Sequence, residues 1–319
     1  EVYEFLIGEG LSPSNIKLTK TPGREAKGFI SDDMKNLLIY DEEVFKPSQA
    51  IRFSESDKAV LGDGVAQTFS FIANKENTIT SKGGIRIFFP DNAFAFKSGL
   101  GASGTIHIEL EEYNNPGEIA SVGLHTMNNE LPLKEACILW IKATCNDQEV
   151  RLKKEKTVKV KIPAKTIELS DPALYKGVKE GNNFNFIQSD PKSPAQRDGD
   201  DFVLSLSQLH WVACASPPKA DSKGTLIVKT SASQNVSLRL ILKEEKEILA
   251  AYNFPGTKDL GFSHVPSGKD AVLVAYGTVD GKTYFFSKSL TTGGEGKEKI
   301  QLKESSVEEI RQFLKNIDK

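Results

Sequence analysis

The feature that most limits how this chain can fold is a two-residue alternation of apolar and polar side chains, repeated in many short segments. In TIHIELEEY (105–113), the apolar residues Ile106, Ile108 and Leu110 would lie on one face of a strand, and the polar residues between them on the other. This period of two is typical of strands that bury one face. The same alternation occurs in TVKVKIP (157–163), VSLRLILK (236–243), AVLVAYGTV (271–279) and KTYFFSKSL (282–290).

Turn signals divide these segments and suggest the fold class. Asn146-Asp147, Ser267-Gly268 and Asp280-Gly281 each separate two alternating runs. Many short strands at such spacing predict a mainly β chain with two β-sandwich domains in tandem and a short C-terminal helix. The expected divisions are an unassigned N-terminal segment (1–63), a first sandwich (64–215), a second sandwich (224–302) and the helix (303–319).

Two polar segments read as irregular structure. SPPKADSKG (216–224) is typical of an interdomain linker, and SDPKSPAQRDGDD (189–201) of a long surface loop. The segment 31–44 is compatible with either a helix or a strand.

Helical signals are strongest at the C-terminus. Ser306 followed by Glu309 forms a capping box. An apolar stripe follows at helical spacing and should pack on a β-domain or on a partner. The stripe consists of Val307, Ile310, Phe313, Leu314 and Ile317.

Composition excludes several classes of protein. The chain has 41 basic and 43 acidic residues among 319, so no long-range field favours nucleic acid. The lysines of 153–161 are interleaved with Glu155 and apolar residues, as on the face of an ordinary strand. No apolar stretch of about 18 residues is present, so no transmembrane segment is expected. Because the chain begins at Glu1 rather than at methionine, we expect an exported protein whose signal peptide has been removed.

The three cysteines do not describe a disulfide framework. Cys137 and Cys145 stand at the two ends of one predicted strand, about 26 Å apart. A disulfide needs Cα atoms within about 7 Å, so these two cannot pair while the strand is straight. Three buried thiols, with Cys214 as the third, are the expectation.

The stretch GLGASG (99–104) has the letters of a dinucleotide-binding loop, G-x-G-x-x-G. In such a loop a helix opens at the last glycine, and its N-terminus holds the pyrophosphate. Here Gly104 is followed by the alternating run that begins at Thr105, which predicts a strand. A turn that uses Gly99, Gly101 and Gly104 explains the same letters, so neither NAD nor FAD is expected to bind, and no other cofactor is predicted.

Acidic residues supply the only candidates for chemistry. Glu109, Glu111 and Glu112 form an acidic cluster, and a carboxylate pair is what glycoside hydrolysis uses. Alternation places Glu109 and Glu111 on the solvent face, which favours an ordinary exposed strand over an acid and base pair.

A second acidic group lies in the loop at 189–201. Its aspartates are oxygen ligands of the type that calcium prefers, but their spacing matches no defined calcium loop, and the question of calcium stays open at this point. These residues are Asp190, Asp198, Asp200 and Asp201.

The remaining residue types form no recognisable catalytic or metal site. The four histidines lack metal-ligand spacing, and no G-x-S-x-G elbow is present. We therefore predict no catalytic, cofactor or metal residues. The histidines are His107, His125, His210 and His264.

A longer pattern in the first predicted sandwich resembles a known family. It consists of SKGGIRIFFPDNAFAFKSGLGASGTIHIELEEY (81–113), IASVGLHTMNNELPL (119–133), ACILWIKATCNDQEVRLKKEKTVKVKIP (136–163) and LSQLHWVACASP (206–217). These stretches resemble an uncharacterised family of bacterial cell-envelope proteins, many of them predicted lipoproteins. The resemblance implies a periplasmic or cell-surface location, with lipid anchoring through a removed N-terminal segment left open.

GGIRIFFPDNAF (83–94) is more distantly similar to the β-sandwich domain shared by ankyrins and netrin receptors. Some relatives of that domain cleave themselves after a histidine and an apolar residue, using a serine or threonine hydroxyl. The corresponding stretch here is His210-Trp211-Val212, and valine carries no nucleophile. We therefore expect no self-cleavage.

The second predicted sandwich resembles carboxypeptidase-regulatory or transthyretin-like domains. The residues that carry this resemblance are LGFSHVPSGKDAVLVAYGTVDGKTYFFS (260–287). Such domains are non-catalytic accessories. Together these features predict a non-catalytic envelope protein that binds a protein or glycan partner or acts as a structural module. The alternative is a hydrolase that uses carboxylates to act on glycans.

Overall fold

The structure is a computed structural model. It describes residues 61, 64–128, 131–164, 171–180, 183–189, 195–217, 224–230, 236–253, 260–293 and 295–317, together with the backbone of four short strands before residue 41.

The four N-terminal strands form a small antiparallel sheet of their own. The longest, β3, pairs with each of the other three. The ambiguous segment 31–44 is a strand over Leu37–Tyr40, and its other residues lie outside the described part of the chain. The strands are β1 (Ile16–Lys17), β2 (Lys20–Thr21), β3 (Arg24–Ile30) and β4 (Leu37–Tyr40).

The first sandwich, here residues 64–217, contains fifteen of the described strands. An eight-stranded sheet contains β5, β8, β9, β12, β13, β15, β16 and β19, and a five-stranded sheet has the order β17-β18-β14-β7-β6. These elements are β5 (Gln67–Ile72), β6 (Asn77–Thr80), β7 (Arg86–Phe89), β8 (Phe94–Phe96), β9 (Thr105–Tyr113), β10 (Met127–Asn128), β11 (Leu131–Pro132), β12 (Lys134–Cys145), β13 (Gln148–Leu152), β14 (Val158–Pro163), β15 (Ala173–Glu180), β16 (Asn183–Gln188), β17 (Gln196–Asp198), β18 (Asp201–Leu206) and β19 (His210–Ser216).

Alternation builds the core between these two sheets, as the sequence predicts. Ile106, Ile108 and Leu110, which alternate along β9, are fully buried against the five-stranded sheet. Val158 and Val160 of β14 face them from the other side. Asn146 and Asp147 both have positive φ and form the two-residue hairpin between β12 and β13.

The second sandwich, here residues 224–304, has its own core. A four-stranded sheet of order β23-β24-β20-β27 faces a five-stranded sheet of order β22-β21-β25-β26-β28, and β20 runs parallel to β27. Asp280 and Gly281 form another hairpin with positive φ at both positions. The strands are β20 (Gly224–Thr230), β21 (Val236–Leu242), β22 (Glu247–Ala250), β23 (Tyr252–Asn253), β24 (Leu260–Val265), β25 (Asp270–Val279), β26 (Lys282–Thr291), β27 (Glu295–Ile300) and β28 (Lys303–Glu304).

Two helices complete the described structure. Helix α1 (Pro116–Ser121) was not predicted, although Asn115 caps it and Pro116 occupies its first turn, both local signals that the sequence contains. Helix α2 (Val307–Lys315) begins with the predicted capping box, in which Ser306 and Glu309 bond each other's backbone amides. The prediction of a mainly β chain ending in a short helix is thus confirmed.

A third apolar cluster joins the two sandwiches, and we call it the interdomain core. It combines the outer face of the eight-stranded sheet, both helices, and the outer face of β21, β22 and β25. The two sandwiches are therefore packed against each other through buried apolar side chains and are not connected by the linker alone. Its large members include Tyr113, Ile138, Tyr175, Phe186, Ile241, Ile248, Val274, Tyr276, Ile310 and Leu314.

Polar contacts reinforce this junction. The Thr126 amide donates to the Ile248 carbonyl over 3.1 Å, and the Ile248 amide donates to the Thr126 hydroxyl over 3.0 Å. The buried Arg239 guanidinium of the second sandwich donates to the Gly123 carbonyl of the first over 2.8 Å. Buried polar groups at the junction are thus paired across the two sandwiches, which fixes their relative position more specifically than apolar contact alone.

The predicted loop and linker differ partly from the structure. The loop at 189–201 contains β17, which forms a hairpin with β18, because Gln196 and Arg197 pair with Val203 and Phe202. Of the linker, Ser216 and Gly224 belong to strands, and 218–223 lie outside the described residues. Within the described part of the chain, no helix is long and apolar enough to cross a bilayer.

Candidate functional site

Three side chains on the outer face of the eight-stranded sheet lie at one register across three neighbouring strands. Trp140 of β12 is the Cα partner of Glu111 on β9 and of Trp211 on β19. We call Glu111, Trp140 and Trp211 the tryptophan row. Both indoles are half-buried, and their ring centroids are 6.3 Å apart. These are the only two tryptophans of the chain, so the row concentrates a scarce residue type at one place.

Trp211 is held in place by aromatic neighbours on three sides. Besides Trp140, its ring lies 6.2 Å from that of Tyr113 in a stacked arrangement and 6.2 Å from that of Phe184 edge-on. Offset stacks and edge contacts of this kind are the arrangements that aromatic quadrupoles favour. Trp211 is therefore the fixed end of the row, and it packs against the interdomain core.

Gly177 of β15 makes room for this arrangement. A Cβ atom at this position would lie 2.5 Å from the Cβ of Trp211 and 2.7 Å from Cζ of Phe184. Real Cβ atoms do not approach so closely, so this strand position accepts only glycine unless its neighbours move. The close packing explains a glycine in the middle of a strand.

Glu111 is buried, which corrects the expectation that it would be exposed. Its side chain is on the predicted outer face, but only 8% of the residue is accessible. The Tyr113 hydroxyl donates a hydrogen bond to its Oε2, and the backbone at Gly64 passes so close that a Cβ there would lie 2.8 Å from the same oxygen. A buried carboxylate requires such a donor. The chain entering β5 thus covers a side chain that alternation alone assigns to solvent.

Polar side chains border the row on the side away from the second sandwich. Glu109 is the strand partner of Lys142, and their charged groups are 3.8 Å apart. The Glu109 side chain is 40% exposed, as predicted. Farther along the same face, the Ser70 hydroxyl and Nδ1 of His107 are 2.9 Å apart. The row therefore has hydrogen-bonding groups within reach of a ligand that lies on the indoles.

Glu112 does not join the other two glutamates. It faces the opposite side of β9, where its Oε1 accepts a hydrogen bond from the Asn114 side chain over 2.7 Å. Its Oε2 is buried without a hydrogen-bond partner. A Cβ at Gly83 would collide with this carboxylate. The predicted acidic cluster is thus divided by the sheet, and two carboxylates rather than three share a face.

Two of the four aspartates of the loop form ion pairs with basic side chains. Asp198 lies 2.7 Å from the ammonium of Lys161, which holds the pKa of Asp198 below its usual range by hydrogen bonding and charge. Asp201 forms an ion pair with Arg86. Asp200 lines a cleft of about 850 Å³ beside Arg86 and Arg197, and Asp190 lies outside the described residues. No group of three or more potential metal ligands occurs among the described residues.

The four histidines are dispersed over the molecule. His125 is fully buried at the junction, where burial lowers its pKa well below the usual range, while His107 borders the tryptophan row. His210 lies 3.4 Å from Glu149, and His264 is on β24 with a positive φ.

The remaining sequence motifs are structural. Gly99 and Gly104 have positive φ in the turn between β8 and β9, and Gly104 leads directly into a strand. At the cleavage-like stretch, Val212 is buried inside the first sandwich, and Trp211 points to the opposite face of the sheet. The position of Val212 thus offers neither a hydroxyl nor access to solvent.

Sequence reasoning missed the tryptophan row. Trp140 belongs to an apolar run, CILWIKATC, and Trp211 lies far along the chain on another strand. The available signal was alternation, which places Trp140 on the same face as Lys142 and opposite the buried Leu139 and Ile141. Nothing local indicates that the two indoles would be strand partners.

No protein-family model matches the chain, and no curated protein matches it at a significant level. What the tryptophan row can bind is therefore argued from its own side chains.

Proposed function

We propose that this protein is a non-catalytic binding module of the bacterial cell envelope and that it holds a glycan on the tryptophan row. The observation that carries the proposal is the pairing of two half-buried indoles at one register of the eight-stranded sheet, bordered on the same face by Glu109 and Lys142. The envelope location draws its support from the resemblance of the first sandwich to bacterial envelope proteins.

A sugar chain matches the chemistry of the row. One face of a pyranose ring presents C–H groups, which are attracted to the negative face of an aromatic ring. Its hydroxyl groups need donors and acceptors at the edges of that platform, and a carboxylate accepts from two of them. Glu109 and Lys142 lie two residues along their strands from Glu111 and Trp140, on the same face of the sheet, and they can supply such groups. A protein partner would need a larger apolar centre than two indoles with charges at their border.

The second sandwich gives the row a rigid setting. Two residues from the row on the same face of the sheet, each strand enters the interdomain core. The buried residues at that level are Tyr113, Ile138 and Ala213. The platform therefore ends against the junction, and its strands are fixed from behind by the first core and at one end by the second domain. Binding residues on rigid, packed strands keep their geometry better than residues on loops.

Tryptophan fluorescence tests the proposal directly, because every tryptophan of the chain belongs to the row. Soluble oligomers of xylose, mannose, glucose and N-acetylglucosamine are titrated into the purified protein while emission is followed. We expect a saturable change for at least one of them, with Kd between about 10 µM and 1 mM. The absence of saturable binding to all four at about 10 mM, in fluorescence and in calorimetry, would refute the proposal.

Variants locate the binding. Trp140→Ala should weaken binding by about 30-fold or more, since a central aromatic anchor contributes at least about 2 kcal/mol. Trp140→Phe keeps a ring and should lose less. Phe313→Ala removes a partly exposed aromatic on α2 whose ring contacts Phe285, and it serves as the matched control. Equal affinity of the wild type and Trp140→Ala would show that the ligand binds elsewhere.

The same oligomers separate binding from hydrolysis. The proposal requires that no new reducing ends appear during long incubation with the wild type. Release of reducing ends that is lost in Glu109→Gln, with binding retained, would instead establish the carboxylate-dependent hydrolase.

A further inference from the structure

Two cysteines that are far apart in sequence are neighbours in the first sandwich. Cys137 of β12 is the Cα partner of Cys214 on β19, in an antiparallel pair. Both side chains point into the core between the two sheets, and each is at most 1% exposed. The thiols are free in this structure.

This position fits the geometry of a disulfide. Directly opposed residues of an antiparallel pair have Cα atoms about 4.5–5.5 Å apart, whichever of the two pair types they form. Disulfides span Cα distances of about 4.4–6.8 Å. The pairing of β12 with β19 is irregular between Lys134 and Cys137, directly beside this pair. The β12 backbone can therefore shift slightly at this point to bring the two sulfur atoms to bonding distance.

We propose that Cys137 and Cys214 form a disulfide that cross-links β12 to β19 inside the first sandwich when the chain folds in an oxidising medium. The oxidant is a small or protein-bound disulfide. One cysteine thiolate attacks it to give a mixed disulfide and release one thiol, and the second cysteine thiolate then displaces the other. Each cysteine loses its proton to solvent, the two sulfurs are oxidised, and the oxidant leaves as two thiols.

Burial determines when this exchange occurs. Burial raises the pKa of the Cys137 thiol well above its usual range, with the neighbouring Cys214 adding to the shift, and it raises the pKa of Cys214 to about 12. Only the thiolate attacks a disulfide, and the folded core also excludes the oxidant. The bond therefore forms during folding or after the sheet opens, and the folded reduced protein reacts slowly.

The cross-link bears on the proposed binding site without depending on it. β12 carries Trp140 and β19 carries Trp211, so a bond between these two strands fixes the register that sets the indoles side by side. A slip of one residue in either strand would move the indole of that strand to the interior.

Cys145 provides an internal control. It lies on the same strand and the same buried face as Cys137, and its thiol donates to the Ser103 carbonyl over 3.3 Å. Its strand partners are Ile106 and Gln148, so no cysteine stands opposite it.

The test refolds the full chain from urea in a glutathione redox buffer and, separately, under reducing conditions. Intact mass and alkylation in denaturant should show the loss of two hydrogen atoms, one thiol remaining and a peptide link between Cys137 and Cys214. Cys145→Ser should form the same link, whereas Cys137→Ser should form none. The oxidised wild type should melt about 5–10 °C above the reduced form, and Cys137→Ser should lose this difference.

Other results would overturn the proposal. Three alkylatable thiols after oxidative refolding, or a link that includes Cys145, would each contradict it. Because peptide mapping is done on the wild type, the result does not depend on whether a serine variant folds.

Discussion

The carboxylate of Glu247 on β22 lies 3.3 Å from the ammonium of Lys134 on β12, across the junction of the two sandwiches. Both strands contribute to this junction, and only 5% of the Glu247 side chain is exposed. Burial raises the pKa of Glu247 to about 7, and the positive charge of Lys134 partly opposes this shift. The contact between the domains therefore contains a carboxyl group that titrates near neutrality.

We predict that this group makes the protein less stable as the pH rises from about 4.5 to 7. A carboxyl group whose pKa is higher in the folded state binds its proton more tightly there than in the unfolded chain. Its contribution to stability is therefore complete at pH values below the unfolded pKa, and it is lost as the pH rises through the folded pKa. The shift corresponds to at most about 3 kcal/mol. The free energy of unfolding in urea is measured for the wild type and for Glu247→Gln at several pH values. The difference between their pH dependences gives the contribution of Glu247.

The control is Glu109→Gln, which removes a carboxylate that also has a lysine partner but is 40% exposed. It should keep the pH dependence of the wild type. If Glu247→Gln kept it as well, another group would be responsible.

The apolar stripe of α2 divides unequally between core and solvent. Ile310 and Leu314 are fully buried in the interdomain core, whereas Phe313 is 37% exposed and contacts Phe285 at 5.3 Å. Leu314→Ala should cost about 2–5 kcal/mol of unfolding free energy, because it leaves a cavity. Because Phe313 is only partly buried, Phe313→Ala should cost less than Leu314→Ala. Urea denaturation of both variants checks the order, and the reverse order would show that α2 packs differently.

Gly177→Ala should disturb the packing of the tryptophan row although both tryptophans are retained. The new methyl group meets Trp211 and Phe184, and overpacking of this kind costs about 1–3 kcal/mol. We expect a lower melting temperature and a shifted tryptophan emission.

Gly293→Ala is the matched control, since a Cβ there has no atom within 4 Å. It should leave both the melting temperature and the emission unchanged. If Gly177→Ala behaved in the same way as this control, the close packing around Trp211 would be disproved.

Local sequence was sufficient wherever structure depends on neighbouring residues. Alternation identified β9 and β14 and assigned Ile106 and Val158 to the buried side, because successive strand residues point to opposite faces. The hairpin at Asn146 and the capping box at Ser306 also follow from a few adjacent residues. The linker composition, by contrast, suggested independent domains, and no local signal indicated the apolar core that joins them.

The candidate site depended on tertiary structure. Which strands become neighbours is decided by pairing between distant segments, so Trp140 and Trp211 met only when β12 paired with β19. The same pairing brought Cys137 to Cys214, whereas the sequence predicted three buried thiols without indicating which of them would be neighbours.

Burial, too, was decided by what covers a face. Alternation assigned Glu111 correctly to the outer side of β9, but the chain at Gly64 and the Tyr113 hydroxyl removed it from solvent. The amino-acid sequence by itself determined the strands, their faces and their turns, since these are properties of short segments. Sheet order, the cover over each face and the side chains that meet across strands were decided by the tertiary structure, because they depend on contacts between residues distant along the chain.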